Sequence, residues 1–260
     1  MQPLETFTLE KAGRVGIVRM NRPQAVNTFT SQMFEEMELI TKQIEDEHDL
    51  LCVILTGAGK HFCAGIDISL LAETSTEWSL RNVTKVHARL FRWENLTVPT
   101  IAAINGACMG GGLEYALTCD IRVAAANASF SMPEVSFGLS PDMGGSQRLP
   151  RLVGPSQAKR LLLCGEKFDA QEALRLGVVD EVVEPEKLME RAMDMAYKIA
   201  AQPPMGVRFA KKAINLSMES SLQAGMLFEQ VQSIFSLGSE DKNEAAAAFL
   251  EKRTPHFKGK

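Results

Sequence analysis

Residues Thr100–Asp120 read TIAAINGACMGGGLEYALTCD, and the rest of the chain is organised around them. Thr100–Ile104 is a short apolar run of strand length, and Gly106 breaks it. Three consecutive glycines, Gly110–Gly112, then open a helix from about Gly111. Glycine is a poor helix interior residue, costing up to about 1 kcal/mol against alanine. It is well used where backbone must approach a ligand closely. A helix that starts there aims unpaired N–H groups and the positive end of its dipole at whatever lies above. Glu114 stands on the same face as Gly111, three residues on. Its neighbours Leu113, Tyr115, Ala116 and Leu117 are apolar, so the helix reads as buried. A buried carboxylate needs a raised pKa or a partner. As a purely structural residue, Glu114 would serve the helix dipole.

Upstream, Thr6–Glu10 and Val15–Met20 read as strands around a turn at Ala12-Gly13. Met33, Met37, Ile40 and Ile44 recur at helical spacing and predict a helix over Ser31–Glu47, capped by Thr30 or Ser31. Leu51–Thr56 is a wholly apolar strand, followed by the loop GAGKHFCAGID and a helix over Trp78–Leu96. Downstream, Ile121–Ala124 and Ser129–Ser131 are further strands. The alternation of strand and helix predicts an α/β layered core. Past Gly144 helices dominate: Pro155–Cys164, Ala170–Leu176, Pro185–Ala201, Pro204–Met218, Ser221–Leu237 and Asp241–Lys252, interrupted by a strand at Val178–Val183. The expected organisation is a catalytic core over 1–199 and a helical region over 200–260.

The 260 residues are 45% hydrophobic and 23% charged, enough for one large domain. With 28 basic and 32 acidic residues the net charge is −4, and no basic stripe speaks for nucleic acid. The odd, widely spaced cysteines, Cys52, Cys63, Cys108, Cys119 and Cys164, contain no CxxC pair and read as reduced core thiols of a cytoplasmic protein. No signal-peptide core and no run of about 18 apolar residues appears, so no membrane association is expected. The phosphate-loop pattern fails at Ile54 and His61, and Gly110–Gly112 is not a dinucleotide fingerprint. No GxSxG exists, and the four histidines lack ligand spacing, so no metal is expected.

Three segments remain in which glycine-rich backbone adjoins a carboxylate in apolar surroundings: Phe62–Asp67, Gly106–Asp120 and Ser131–Gly145. Alone, Glu134 after Pro133 reads as a loop residue, and Asp142 after Pro141 as a turn residue or helix cap. Phe130, Met132, Phe137 and Met143 read as core or pocket wall. Together these segments carry a resemblance. NRPQAVN (Asn21–Asn27), GKHFCAGIDIS (Gly59–Ser69), Ile104–Gly154, ALRLGVVDEVVEPEKL (Ala173–Leu188) and FLEKRTPHFKGK (Phe249–Lys260) resemble, in order, the crotonase (enoyl-CoA hydratase/isomerase) family.

The resemblance implies a spiral of ββα units with a C-terminal helical trimerisation region, assembled as a homotrimer or homohexamer. It implies an acyl-CoA thioester substrate and no separate cofactor. By motif position, the backbone N–H groups of Ile66 and Gly111 would hold the thioester oxygen as it gains charge. Glu114 and Glu134 occupy the positions of the acid/base pair of enoyl-CoA hydratases, with Glu114 activating water and Glu134 protonating Cα. Ala25, Val26, Ala64, Asp67, Ile68 and Gly110 would line the substrate path, with Phe249 and Lys252 reaching coenzyme A. Two departures stand out. Ser69 replaces a lysine usual in hydratases, and Pro141-Asp142-Met143-Gly144-Gly145 replaces Pro-Gly-Ala-Gly-Gly. An acid at position 142 resembles dienoyl-CoA isomerases, so Asp142 is a possible third acid, and double-bond isomerisation is the alternative activity.

Overall fold

The computed structural model describes residues 4–260. In chain order, the hairpin β1 (Phe7–Ala12) and β2 (Val15–Met20) leads to α1 (Ser31–Asp46) and β3 (Cys52–Gly57). Next come α2 (Ile68–Glu73), α3 (Thr76–Glu94), β4 (Thr100–Ile104), β5 (Ala107–Met109) and α4 (Gly111–Ala116). β6 (Ile121–Ala125) and β7 (Ser129–Ser131) precede a 3₁₀ turn at Glu134–Phe137, then α5 (Gly145–Val153) and α6 (Pro155–Cys164). β8 (Phe168–Asp169), α7 (Ala170–Leu176) and β9 (Glu181–Val183) follow. Four helices close the chain: α8 (Leu188–Ala200), α9 (Pro204–Ser217), α10 (Leu222–Leu237) and α11 (Glu240–Glu251).

The main sheet has the order β1-β2-β3-β4-β6-β9, parallel except for the β1–β2 hairpin. Parallel neighbours require crossovers, which the intervening helices supply. β3 is buried throughout. Its alternate residues feed two cores. Val53 and Leu55 meet Met33, Met37 and Ile40 of α1 together with Leu90 and Trp93 of α3. Cys52 and Ile54 face Leu188, Ala192 and Ala196 of α8. Each fully buried valine, leucine, isoleucine or methionine here stabilises the fold by roughly 1.5–3 kcal/mol. A second, three-stranded sheet, β5-β7-β8, stacks the segments that carry the glycines and Glu134. As expected, Thr30 caps α1, accepting a hydrogen bond from Met33 N at 3.2 Å.

After α8 the character changes. α9 packs on α10, with Phe209 and Phe228 in an edge-on pair. Lys211 ties α9 to the sheet, donating to Asp120 Oδ2 at 2.8 Å and Val98 O at 3.1 Å. α10 buries none of its residues and exposes Leu222, Leu227, Ile234, Phe235 and Leu237.

Several expectations need correction. The strand expected over Val178–Val183 is confined to Glu181–Val183, since Val178 and Val179 still bond back to Ala173 of α7. β5, β8, α2 and α5 carry too little periodicity to be read from sequence. Cys164 is an exposed thiol at the end of α6 rather than a core one. Phe137 is 56% exposed, neither core nor enclosed wall.

Candidate active site

Glu114 is the fourth residue of α4 and is 1% exposed. α4 starts abruptly because Gly110 adopts φ +50°, ψ −125°, a conformation costly for any L side chain. The Gly110 N–H donates to Ser131 O at 2.9 Å, which stitches the helix start to β7. Across from α4, the turn between the 3₁₀ segment and α5 points two amides inward. Met143 N and Gly145 N donate to Glu114 Oε1 at 3.0 and 2.7 Å. Burial pushes the Glu114 carboxyl up to about 8, with the charges of Glu134 and Asp142 adding to the rise and the two amides opposing it.

Glu134 opens the 3₁₀ turn after Pro133. Both its carboxyl oxygens are shut off from solvent and have no hydrogen-bond partner among the described residues. They face Gly110 so closely that a Cβ there would stand 3.0 Å from Glu134 Oε1. Burial raises this carboxyl above its ordinary range, and Asp142 adds to the rise. Asp142 itself lies exposed at the rim. Surrounding protein lifts its carboxyl too, while His87 opposes the shift. Three acids that lie 20 and 8 residues apart in sequence are thus near enough for the charge of Asp142 to be felt at both glutamates.

Beside the acids lie two main-chain donors. Residue 66 bridges Phe29: Phe29 N donates to Gly65 O at 2.8 Å, and Asp67 N donates to Phe29 O at 2.9 Å. This pattern pins both flanks of Ile66 and leaves its own N–H out of the ladder. The N–H of Gly111, at the first position of α4, is likewise unpaired among the described residues. The two lie close together. A Cβ on Gly65 would approach Gly111 N to 3.5 Å, and one on Gly111 would sit 3.6 Å from Ile66 Cγ1. Gly65 holds φ +95°, so this approach needs glycine on conformational grounds as well.

The other sequence-derived candidates divide into two groups. Ala64 N donates to Val26 O at 3.0 Å, so the Ala25-Val26 turn lies against the Ala64–Ile68 loop. Asp67 caps α2, where Ser69 N and Oγ donate to its Oδ1 at 3.1 and 2.7 Å. Its Oδ2 accepts from Thr28 Oγ1 at 3.0 Å, and Arg22 lies at 3.4 Å. Its carboxyl is held below the ordinary range, first by the Ser69 hydroxyl. Ile68 projects outward, 62% exposed. Phe249, 85% exposed, and Lys252, which caps the end of α11 with φ +55° and donates its backbone N–H to Phe249 O, have no hydrogen bond or ion pair to these loops among the described residues. Within one chain they are not joined to the acids.

Sequence reasoning did not single out the groups that hold the Asp142–Gly145 turn. His87, Glu94 and Arg148 surround it from α3 and α5. A cavity of about 850 Å³ adjoins it, lined in part by Leu90, Phe91, Leu117 and Met143. An arginine after paired glycines hints at a role in the turn, but its partner Glu94 is 54 residues away. Among the described residues no group of three His, Cys, Asp or Glu is disposed to hold a metal, and no helix is long and apolar enough to cross a membrane.

The architecture is the crotonase-like α/β fold with a C-terminal helical region, and comparison with known proteins specifies it further. The profile of the family described as enoyl-CoA hydratase/isomerase matches residues 10–260, and the chain belongs to that family. It is 43% identical over 251 residues to a short-chain-enoyl-CoA hydratase of Clostridium acetobutylicum, covering 96% of each chain. It is 37% identical over 255 residues to a crotonyl-CoA hydratase of Syntrophomonas wolfei, covering 97% of this chain and 98% of the other. Among solved structures, an enoyl-CoA hydratase from Bacillus anthracis superimposes with a TM-score of 0.94 at 38% identity, covering 98% of this chain and 100% of that one.

Proposed function

We propose that the protein is an enoyl-CoA hydratase, interconverting trans-2-enoyl-CoA and 3-hydroxyacyl-CoA. The observation that carries this reading is the convergence of Glu114 and Glu134, both buried at the carboxyl, beside the unpaired amides of Ile66 and Gly111. The relatives named as hydratases support it. Addition of water to the alkene places negative charge on the thioester oxygen. Two fixed N–H dipoles in a water-poor pocket stabilise that charge, each lowering the barrier by roughly 3–4 kcal/mol. Glu114, held by two amides, takes the proton of the water as its oxygen attacks Cβ. Glu134 delivers a proton to Cα. Neighbouring buried carboxyls do not readily ionise together, so the pair shares one proton and can pass it in either direction.

In this reading the backbone of Ala25, Val26, Ala64, Asp67, Ile68 and Gly110 lines the path of the coenzyme. Phe249 and Lys252 reach coenzyme A, within a homotrimer or homohexamer built on the exposed apolar helices. The enzyme needs no further cofactor, because the thioester itself disperses the charge, and it works in the cytoplasm. Loss of the conjugated thioester absorbance on adding the protein to crotonyl-CoA tests the activity directly. A preparation that leaves that absorbance unchanged refutes it. One observation favours a second reading, double-bond isomerisation by Glu134 and Asp142: Asp142 is near enough for its charge to act on both glutamates. Asp142→Asn abolishing turnover while Glu114→Gln spares it would select that reading.

A further inference from the structure

Arg148 lies on the first turns of α5, 15% exposed at its side chain, and spends its guanidinium on two targets. Nε and one terminal nitrogen grip Glu94 of α3 at 2.9 and 2.6 Å, a bidentate pair. The other terminal nitrogen donates to Met143 O at 3.1 Å. The guanidinium also sits over the Phe91 ring, 5.6 Å from its centroid. Gly144 is what permits this contact. Its φ is +109°, and a Cβ there would fall on the guanidinium. A second strut comes from the same helix: His87 Nε2 lies 2.5 Å from Asp142 O. Against a carbonyl, that nitrogen carries the proton. The Asp142–Met143 peptide that His87 grips supplies the Met143 N–H to Glu114 Oε1, and the Met143–Gly144 peptide that Arg148 grips lies between it and the Gly145 N–H that holds the same oxygen.

From this geometry we infer that Arg148, anchored by Glu94, is a positioning residue that holds the Asp142–Gly145 turn so that its two amides fix Glu114. The inference rests on the hydratase reading for its kinetic consequence, though not for its effect on Glu114. A partly buried ion pair contributes little net stability, because desolvation offsets attraction. The third donor, spent on Met143 O, ties this pair to the acid. The charged groups that face Glu114 are Glu134 from the 3₁₀ turn and Asp142 from the gripped turn. His87 of α3 faces Asp142 in turn. Loosening the turn removes amide donors that favour the ionised form, so Glu114 should hold its proton to higher pH.

The test compares Arg148→Met, Arg148→Lys and Glu94→Gln with the wild type, and with Arg191→Met, which cuts an ion pair to Glu181 on the far side of the sheet. For Arg148→Met, kcat on crotonyl-CoA should fall by about 10–100-fold with KM little changed, as expected when a reacting group is misplaced by about 1 Å. The acidic limb of the kcat/KM profile should move to higher pH. Arg148→Lys should recover part of the rate, since it keeps the charge and loses the fork. Glu94→Gln should fall between them. Arg191→Met should leave the limb in place. An unmoved limb, or a rate loss that only follows a lowered melting temperature, overturns the inference. If Arg148→Met does not fold, Arg148→Lys and Glu94→Gln carry the same comparison. A readout independent of turnover is the pH dependence of melting, measured with and without Glu114→Gln in each background. If the Glu114-linked part moves up in pH when Arg148 is changed while the wild type hydrates nothing, the clamp stands and the hydratase reading fails.

Discussion

Glu114 rides a fully buried helix with one oxygen fastened by two amides, whereas Glu134 sits on a 3₁₀ turn with both oxygens enclosed and unpaired. The first seat fixes direction: Oε1 is occupied, so only Oε2 is free to meet a water molecule. The second seat fixes little and favours the charged form only through the amide of residue 134 itself, which suits the proton donor proposed above. One carboxyl is built into its neighbours. The other is walled in without being bound. Position and protonation are therefore tuned separately, though both acids answer to the same field.

The largest effect that would break this comparison is kinetic. Glu134→Gln and Glu114→Gln should each lower kcat on crotonyl-CoA by about 10³-fold. Their stabilities should differ, as thermal melting will show. Glu134→Gln removes an unpartnered buried acid and should raise the melting temperature at pH 8, by about 1 kcal/mol of stability. Full activity in either variant would dismiss the shared-proton scheme.

Next in size is Gly110→Ala. It forces an L residue to φ +50° and brings its Cβ to 3.0 Å from Glu134 Oε1. Chemical denaturation should report a loss of about 1–3 kcal/mol, and turnover should fall with it. An unaltered midpoint would mean that the α4 entry is softer than its geometry implies.

The pH dependence of stability sharpens the contrast further. Glu114 ionises at about 8 in the fold, against 4.5 as the ordinary value. Between those values the folded chain holds a proton that the unfolded chain has lost. Stability therefore falls as pH rises through that window. Melting temperature should decline from pH 5 to pH 8.5, and Glu114→Gln should flatten the decline. A decline as steep in Glu114→Gln as in the wild type would show that the amides outweigh burial.

Asp142→Asn should have the smallest effect, within about fivefold on kcat if the acid acts only through the charge it adds to its neighbours. The acidic limb of the rate profile should then shift to lower pH, because a charge that discourages ionisation is gone.

Local chemistry was legible in the sequence wherever it repeats along the chain. The two-sided burial of β3 is implicit in its apolar run, and the face of α1 in Met33, Met37, Ile40 and Ile44. The glycines at 65 and 110–112 announced close backbone approach, and the family motif carried Glu114 and Glu134 into the candidate set. β5 and β8, with three and two residues, carry no period long enough to read. α5 contains Pro150, which speaks against a helix there although the fold accommodates it.

By itself, then, the sequence determined the layered α/β core, the late helices and the glycine-rich turns, because strand and helix periodicity and glycine stereochemistry operate over a few residues; the backbone donors entered only through the family motif. Tertiary structure alone decided that the charge of Asp142 is felt at Glu114 and Glu134, that Arg148 reaches Glu94, and that Phe249 and Lys252 have no hydrogen bond to those acids within the chain. Those relations depend on how the crossovers and the small second sheet bring distant segments to van der Waals distance, and no local pattern encodes that.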